Sequence, residues 1–202
     1  MSQNDYFQAF KAAEGHIKSA ENLVRFFNPI GEVEYLRGLL MPAVNELRYA
    51  GRHAIHAAEA TSGDEREERF VEAKKHCFRA SYDAFDAQLQ YLIGECDLFQ
   101  RDFRRVPIAP VIDSYQDDCR TLNRLKMIDY RRTGNREDHW AEMERHGETL
   151  RQILEKWNTG REELNKILRK EQLDRWYKTL AIIGGLTTVA VAAVALIAGL
   201  LK

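Results

Sequence analysis

Apolar residues recur at intervals of three and four through most of the chain, the spacing that gathers side chains on one face of an α-helix. Phe10, Ala13, Ile17, Ala20, Val24 and Phe27 predict a helix over about 4–27, ended by Asn28-Pro29-Ile30-Gly31. Val33, Leu36, Leu40, Val44, Leu47 and Ile55 predict the inward face of a second helix over about 32–60. Pro42 is expected to kink or split it, because proline lacks the N–H that the helix needs there. Thr61-Ser62-Gly63-Asp64 reads as the next turn, with Asp64 as the expected N-cap. Phe78, Tyr82, Phe85, Leu89, Leu92, Cys96, Phe99 and Phe103 then alternate spacings of four and three, a seam like that of a coiled coil. Unbroken from about 65 to 105, that helix would be roughly 60 Å long.

Val106-Pro107-Ile108-Ala109-Pro110 stops the third helix. A fourth follows with Ile112, Tyr115, Cys119, Leu122, Leu125 and Ile128 inward, and Thr133-Gly134-Asn135 closes it. A fifth carries Trp140, Met143, Leu150, Leu154, Trp157, Leu164 and Leu168. Within it Thr159-x-x-Glu162 is either a capping box that starts a new helix or a mark inside a continuous one. No segment alternates as a half-buried strand does, and no internal repeat appears.

The pattern changes character at Thr179–Leu201, an uncharged apolar run. At ~1.5 Å per residue it makes a helix of about 34 Å, enough to cross a hydrocarbon core. Trp176 and Tyr177 precede it as interface anchors, with Lys178 beside them. Lys166, Arg169, Lys170 and Arg175 lie further back, and Lys202 is the one charge beyond. The positive-inside rule therefore places the preceding domain in the cytoplasm, against a bacterial inner membrane, in a single-pass topology. Ala181, Gly184, Thr188, Ala192, Ala195 and Gly199 fall three or four apart, a stripe of small residues on which a second membrane helix could pack. The expected fold is all-α, an elongated antiparallel helical bundle followed by a single C-terminal transmembrane helix. Its parts are a bundle over 1–158, a membrane-proximal helix over 159–178 and the spanning helix over 179–201.

Charge narrows the function classes. The chain has 30 basic and 31 acidic residues, so it lacks the global basic excess of a nucleic-acid binder. Cys77, Cys96 and Cys119 are irregularly spaced and read as reduced core residues. The first ten residues, MSQNDYFQAF, do not have the form of a signal peptide. His53-x-x-His56-x-x-Glu59 reads as a solvated helix face, and neither a metal nor a cofactor is expected. No phosphate-cradling glycine loop and no Gly-x-Ser-x-Gly elbow is present.

Glu46-Leu47-Arg48-Tyr49-Ala50-Gly51-Arg52-His53 resembles the Arg-x4–6-His signature of HEPN domains, helical bundles often found as ribonucleases in bacterial defence. The resemblance implies catalytic roles for Arg48, stabilising charge on a phosphate, and for His53, as acid or base, brought together across a dimer. Arg69/His76 and Arg132/His139 fit the same spacing, against about two matches expected by chance. The architecture resembles small HEPN-like membrane proteins of CRISPR and other anti-phage systems, in which the membrane part can carry toxicity. The function expected first is therefore a membrane-anchored effector that oligomerises and permeabilises or perturbs the bilayer as a pore in antiviral defence. Its partners would be membrane lipid, further copies of itself, and a protein partner or trigger. A tail-anchored adaptor and an anchored HEPN-type ribonuclease acting on RNA are the other classes.

Overall fold

The computed structural model describes residues 3–27, 33–128 and 140–200, with side chains over 3–27, 38–128 and 142–183. Five α-helices carry the described chain: α1 Gln3–Phe27, α2 Val33–Glu59, α3 Gly63–Asp102, α4 Tyr115–Lys126 and α5 Trp140–Leu200. No strand occurs among the described residues, and the fold is an all-α bundle. The breaks expected at residues 28–31 and 133–135 lie outside the described residues, as does Arg132/His139. The chain divides into two compact units. One comprises residues 1–98 and 117–155, the other residues 99–116 and 156–202.

Small residues set the packing of the first unit. α1 buries Tyr6, Ala13, Ile17, Ala20 and Val24, while α2 buries Leu40, Ala43, Ala50 and Ala57. α3 answers with Phe70, Ala73, Cys77, Ala80, Ala84 and Ala87. Tyr6, Ala13, Ala50, Ala57, Phe70, Ala73, Cys77 and Ala80 form one cluster, with Ala9, Phe10, Leu47 and Ala54 packed against it. Alanine at three- and four-residue intervals keeps helix propensity high and lets helix backbones approach closely.

This corrects the expected inward faces. Leu40 is buried and Leu47 packs against the core as expected, but Val44 and Ile55 are 40% and 61% exposed, because Ala43, Ala50 and Ala57 take the inward positions beside them. Phe78 is 40% exposed with Lys74 Nζ 5.4 Å from its ring centroid, so the large seam of α3 begins at Tyr82. From there Tyr82, Phe85, Leu89, Leu92, Cys96, Phe99 and Phe103 are all buried as expected. α3 thus has two buried stripes, one of small residues and one of large.

The helix ends follow local chemistry. Ser62, not Asp64, caps α3: its Oγ accepts from Glu65 N–H at 3.2 Å, and its carbonyl accepts from Arg66 N–H at 3.2 Å. Asp64 and Glu65 instead sit in the first turn, where the helix dipole favours negative charge. α2 continues through Pro42 as one helix, not two. Thr159 does not start a new helix either. Its hydroxyl donates back to the Lys156 carbonyl at 2.6 Å, inside an α5 that is continuous over 61 residues.

The second unit is built around Trp157. Its indole lies 5.1 Å from the Phe99 ring and 5.0 Å from Tyr115, and Phe103, Val106, Ile108, Ile112 and Leu164 are buried in the same unit. The proline-bounded segment after α3 folds back on itself through Val106 N–H to Phe103 O and Val111 N–H to Ile108 O, both at 2.9 Å. Arg161 covers this core from outside, its guanidinium 5.2 Å and 5.7 Å from the Phe99 and Phe103 rings and 3.5 Å from Asp102.

Two glycines of α5 have opposite surroundings. A Cβ at Gly147 would meet Leu89 Cδ2 at 3.7 Å, an ordinary contact. At Gly160 it would meet Ile112 Cγ1 at 3.0 Å, Ile112 Cδ1 at 3.2 Å and Val111 Cγ1 at 3.2 Å. Gly147→Ala is expected to stabilise by about 0.5–1 kcal/mol through helix propensity. Gly160→Ala is expected to destabilise by about 1 kcal/mol, because displacing the buried Ile112 outweighs that gain. Urea denaturation midpoints of the two variants check the opposite signs.

Candidate functional site

The described polar cluster with the closest geometry bridges α2 and α3. α2 carries Glu46, Tyr49 and His53 at spacings of three and four, and α3 carries Arg69, Glu72 and His76 in the same way. Each set borders the buried small-residue stripe of its helix, so the two meet where the helices pack. His76 Nδ1 donates to Glu46 Oε2 at 2.7 Å, with the two side chains 15% and 23% exposed. The His53 and His76 rings stack at 5.1 Å with 17° between planes, and Tyr49 lies 5.5 Å from His76. His53 Nδ1 and Arg69 Nε are buried without hydrogen-bond partners. Burial first, and the neighbouring His76 second, hold the His53 pKa below its ordinary value.

Arg48 is exposed, whereas His53 is half-buried against His76. Five residues along a helix separate their directions by about 140°, so one chain does not bring them to a common point. His53 instead meets His76, which is bonded to Glu46, a pair that the Arg-x4–6-His reading of α2 did not single out. A signal for them existed: polar residues flanking the alanine stripes at helical spacing. Among the described residues, no group of three or more His, Cys, Asp or Glu is placed to hold a metal ion.

A cleft of about 590 Å³ lies among α1, α3 and α5 of the first unit. Phe85, Leu89, Leu92 and Met143 form its apolar lining, while His16, Gln88, Glu148 and Arg151 supply polar groups. Glu148 Oε1 and Oε2 accept from Arg151 at 2.7 Å and 2.8 Å, which spends much of the arginine's charge inside the protein. The His16 ring lies 4.8 Å from Phe85, and burial lowers its pKa against the opposing influence of Glu144.

The expected membrane determinants fall on the second half of α5. Trp176 and Tyr177 are 58% and 62% exposed, and their rings meet at 5.5 Å. Lys178 and Ala181 are exposed as well. The helix continues to Leu200, but the side chains of Gly184, Thr188, Ala192, Ala195 and Gly199 lie outside the described residues. Among the described residues no helix is long and apolar enough to cross a membrane.

The fold and these sites define an all-α helical bundle whose last helix continues into an apolar run. No protein family, curated protein or solved structure matches the chain.

Proposed function

We propose that the protein is a membrane-anchored helical effector that oligomerises and perturbs the bilayer, in the manner of the HEPN-like membrane proteins of bacterial defence. The observation that carries the membrane reading is the exposure of α5. Every residue from Gln172 to Ile183 is exposed, and among them are Leu173, Trp176, Tyr177, Leu180, Ile182 and Ile183. At about 100° per residue Leu173, Trp176, Tyr177, Leu180 and Ile183 share one exposed face of the helix, with Ile182 opposite, and an uncovered apolar face suits lipid better than water. The uncharged sequence that follows, to Leu201, has the length for a span, and the aromatic pair suits the headgroup level.

Oligomerisation draws its support from the small residues Ala181, Gly184, Thr188, Ala192, Ala195 and Gly199 in the sequence of that run. Helices in lipid gain little hydrophobic reward for associating, so close backbone approach must supply the attraction. The ribonuclease reading is weaker, since Arg48 and His53 point apart in one chain.

The test is dye leakage from cells expressing the intact chain, a chain ending at Lys178, and the Gly184→Leu and Ala192→Leu variants. Leakage is expected from the intact chain and not from the shortened one. It should fall at least several-fold in the Leu variants, whose crosslinked oligomers in membranes should diminish in parallel. An anchored adaptor would give no leakage from any chain. Leakage and crosslinking unchanged in both Leu variants would make the run an anchor alone.

A further inference from the structure

Between α2 and α3, two imidazoles are stacked and only one of them has a carboxylate partner. His76 Nδ1 donates to Glu46 Oε2 at 2.7 Å. His53 lacks such a partner at its buried Nδ1 and lies face to face with His76 at 5.1 Å. We propose that the stacked His53 ring is an acid-sensitive latch that holds α2 against α3 while it is neutral, and releases the contact when it takes up a proton.

The groups around His53 make a proton on its ring costly. From α3 it faces His76, Glu72 and Arg69, and His56 acts on it from α2. Glu72 is the carboxylate that would welcome the charge, but its Oε1 is engaged by Lys75 Nζ at 2.6 Å. Glu46 is engaged by His76, whose ring also carries Tyr49 on a neighbouring side. α1 brings Tyr6 to the adjoining stripe, where it touches Phe70 at 5.8 Å and senses Cys77. Arg69 would therefore confront a protonated His53 whose buried Nδ1 is unmatched. Like charges this close in a partly buried site repel far more than they do in water.

The direction of the linkage follows. The folded His53 binds its proton less readily than an exposed histidine, whose pKa is near 6.5. The contribution of the latch is complete above that ordinary value and is lost as pH falls below it, levelling off once the folded His53 itself titrates. Each unit by which the protein lowers that pKa corresponds to a tenfold change in the opening equilibrium. His16 and His146 are also shifted down by burial, so a global measurement cannot isolate the latch. A local one can.

The experiment measures amide hydrogen-exchange protection along α2 and α3 in the full chain in detergent micelles at pH 7.5 and 5.5, corrected for intrinsic exchange. Protection of the segments around His53 and His76 is expected to fall at pH 5.5, with about tenfold as the ceiling for one histidine of ordinary pKa near 6.5 in the open state, while α4 changes less. His53→Phe keeps a ring on His76 and should retain protection at pH 7.5 while losing most of the pH dependence. If His53→Phe does not fold, His53→Gln serves instead, since it removes the titrating ring and the dependence must flatten. Wild-type protection that is independent of pH overturns the latch. So does a pH dependence that survives in the Phe variant, or one spread evenly over all helices.

Discussion

Trp157→Ala is expected to cost about 3–5 kcal/mol, enough to remove most of the stability of a typical domain. The indole is wholly buried between Phe99 of α3 and Tyr115 of α4, and Phe99 in turn meets Phe103. Neighbours fixed on two helices cannot both move inward, so a cavity remains after truncation and adds to the lost transfer energy. Arg161 would also lose its seat, since it lies over the Phe99 and Phe103 rings. Trp176→Ala provides the contrast. That ring is 58% exposed, and its removal should leave the urea midpoint of the bundle unchanged while weakening membrane association. Equal losses for the two tryptophans would contradict the packing described for Trp157.

Ala73→Leu is the second substitution with a large expected effect, in the opposite steric sense. Ala73 has no exposed surface and lies in the cluster formed with Tyr6, Ala13, Ala50, Ala57 and Cys77. Helices packed through alanine have little room for a branched side chain. The larger residue must displace backbone rather than merely rotate a neighbour, at an expected cost of about 2–3 kcal/mol. Ala58→Leu, on the exposed side of α2, should change stability by less than about 0.5 kcal/mol. A urea titration of both variants checks the difference.

The same alanines explain where the sequence could be read and where it could not. Tyr82 to Phe103 stood out because large apolar residues at heptad spacing admit few other arrangements, and all seven are buried. α1 was legible for a related reason: Ala13, Ile17, Ala20 and Val24 keep one phase. α2 was misphased because hydrophobicity ranks Val44 and Ile55 above Ala43, Ala50 and Ala57. Close packing rewards small size instead, and the larger residues were left outside. The α3 cap was placed two residues late because Ser62 and Asp64 are both good N-cap residues, and the hydroxyl of Ser62 reaches the free N–H groups. The polar cluster was the least legible part. His53 drew notice through its spacing from Arg48 on one helix. Its contact with His76, and that of His76 with Glu46, depend on the pairing of two helices, which a pattern within α2 does not specify.

Burial of sulfur in this fold has a consequence for redox chemistry. Cys77 and Cys96 have no exposed surface, and burial pushes both thiol pKa values up to about 12. The thiolate is the reactive form, so both sulfurs are chemically silent while the helices stay packed. Cys119 is half-buried and is the sulfur that an oxidant or alkylating reagent meets first in the closed bundle. Modification of Cys77 or Cys96 therefore marks a molecule that has opened. Once modified, the Cys77 sulfur carries an added group into the alanine-lined stripe and the Cys96 sulfur into the filled seam of large residues, and reclosing is obstructed. Brief exposure to an electrophile during opening would convert a reversible excursion into a lasting chemical trace of it.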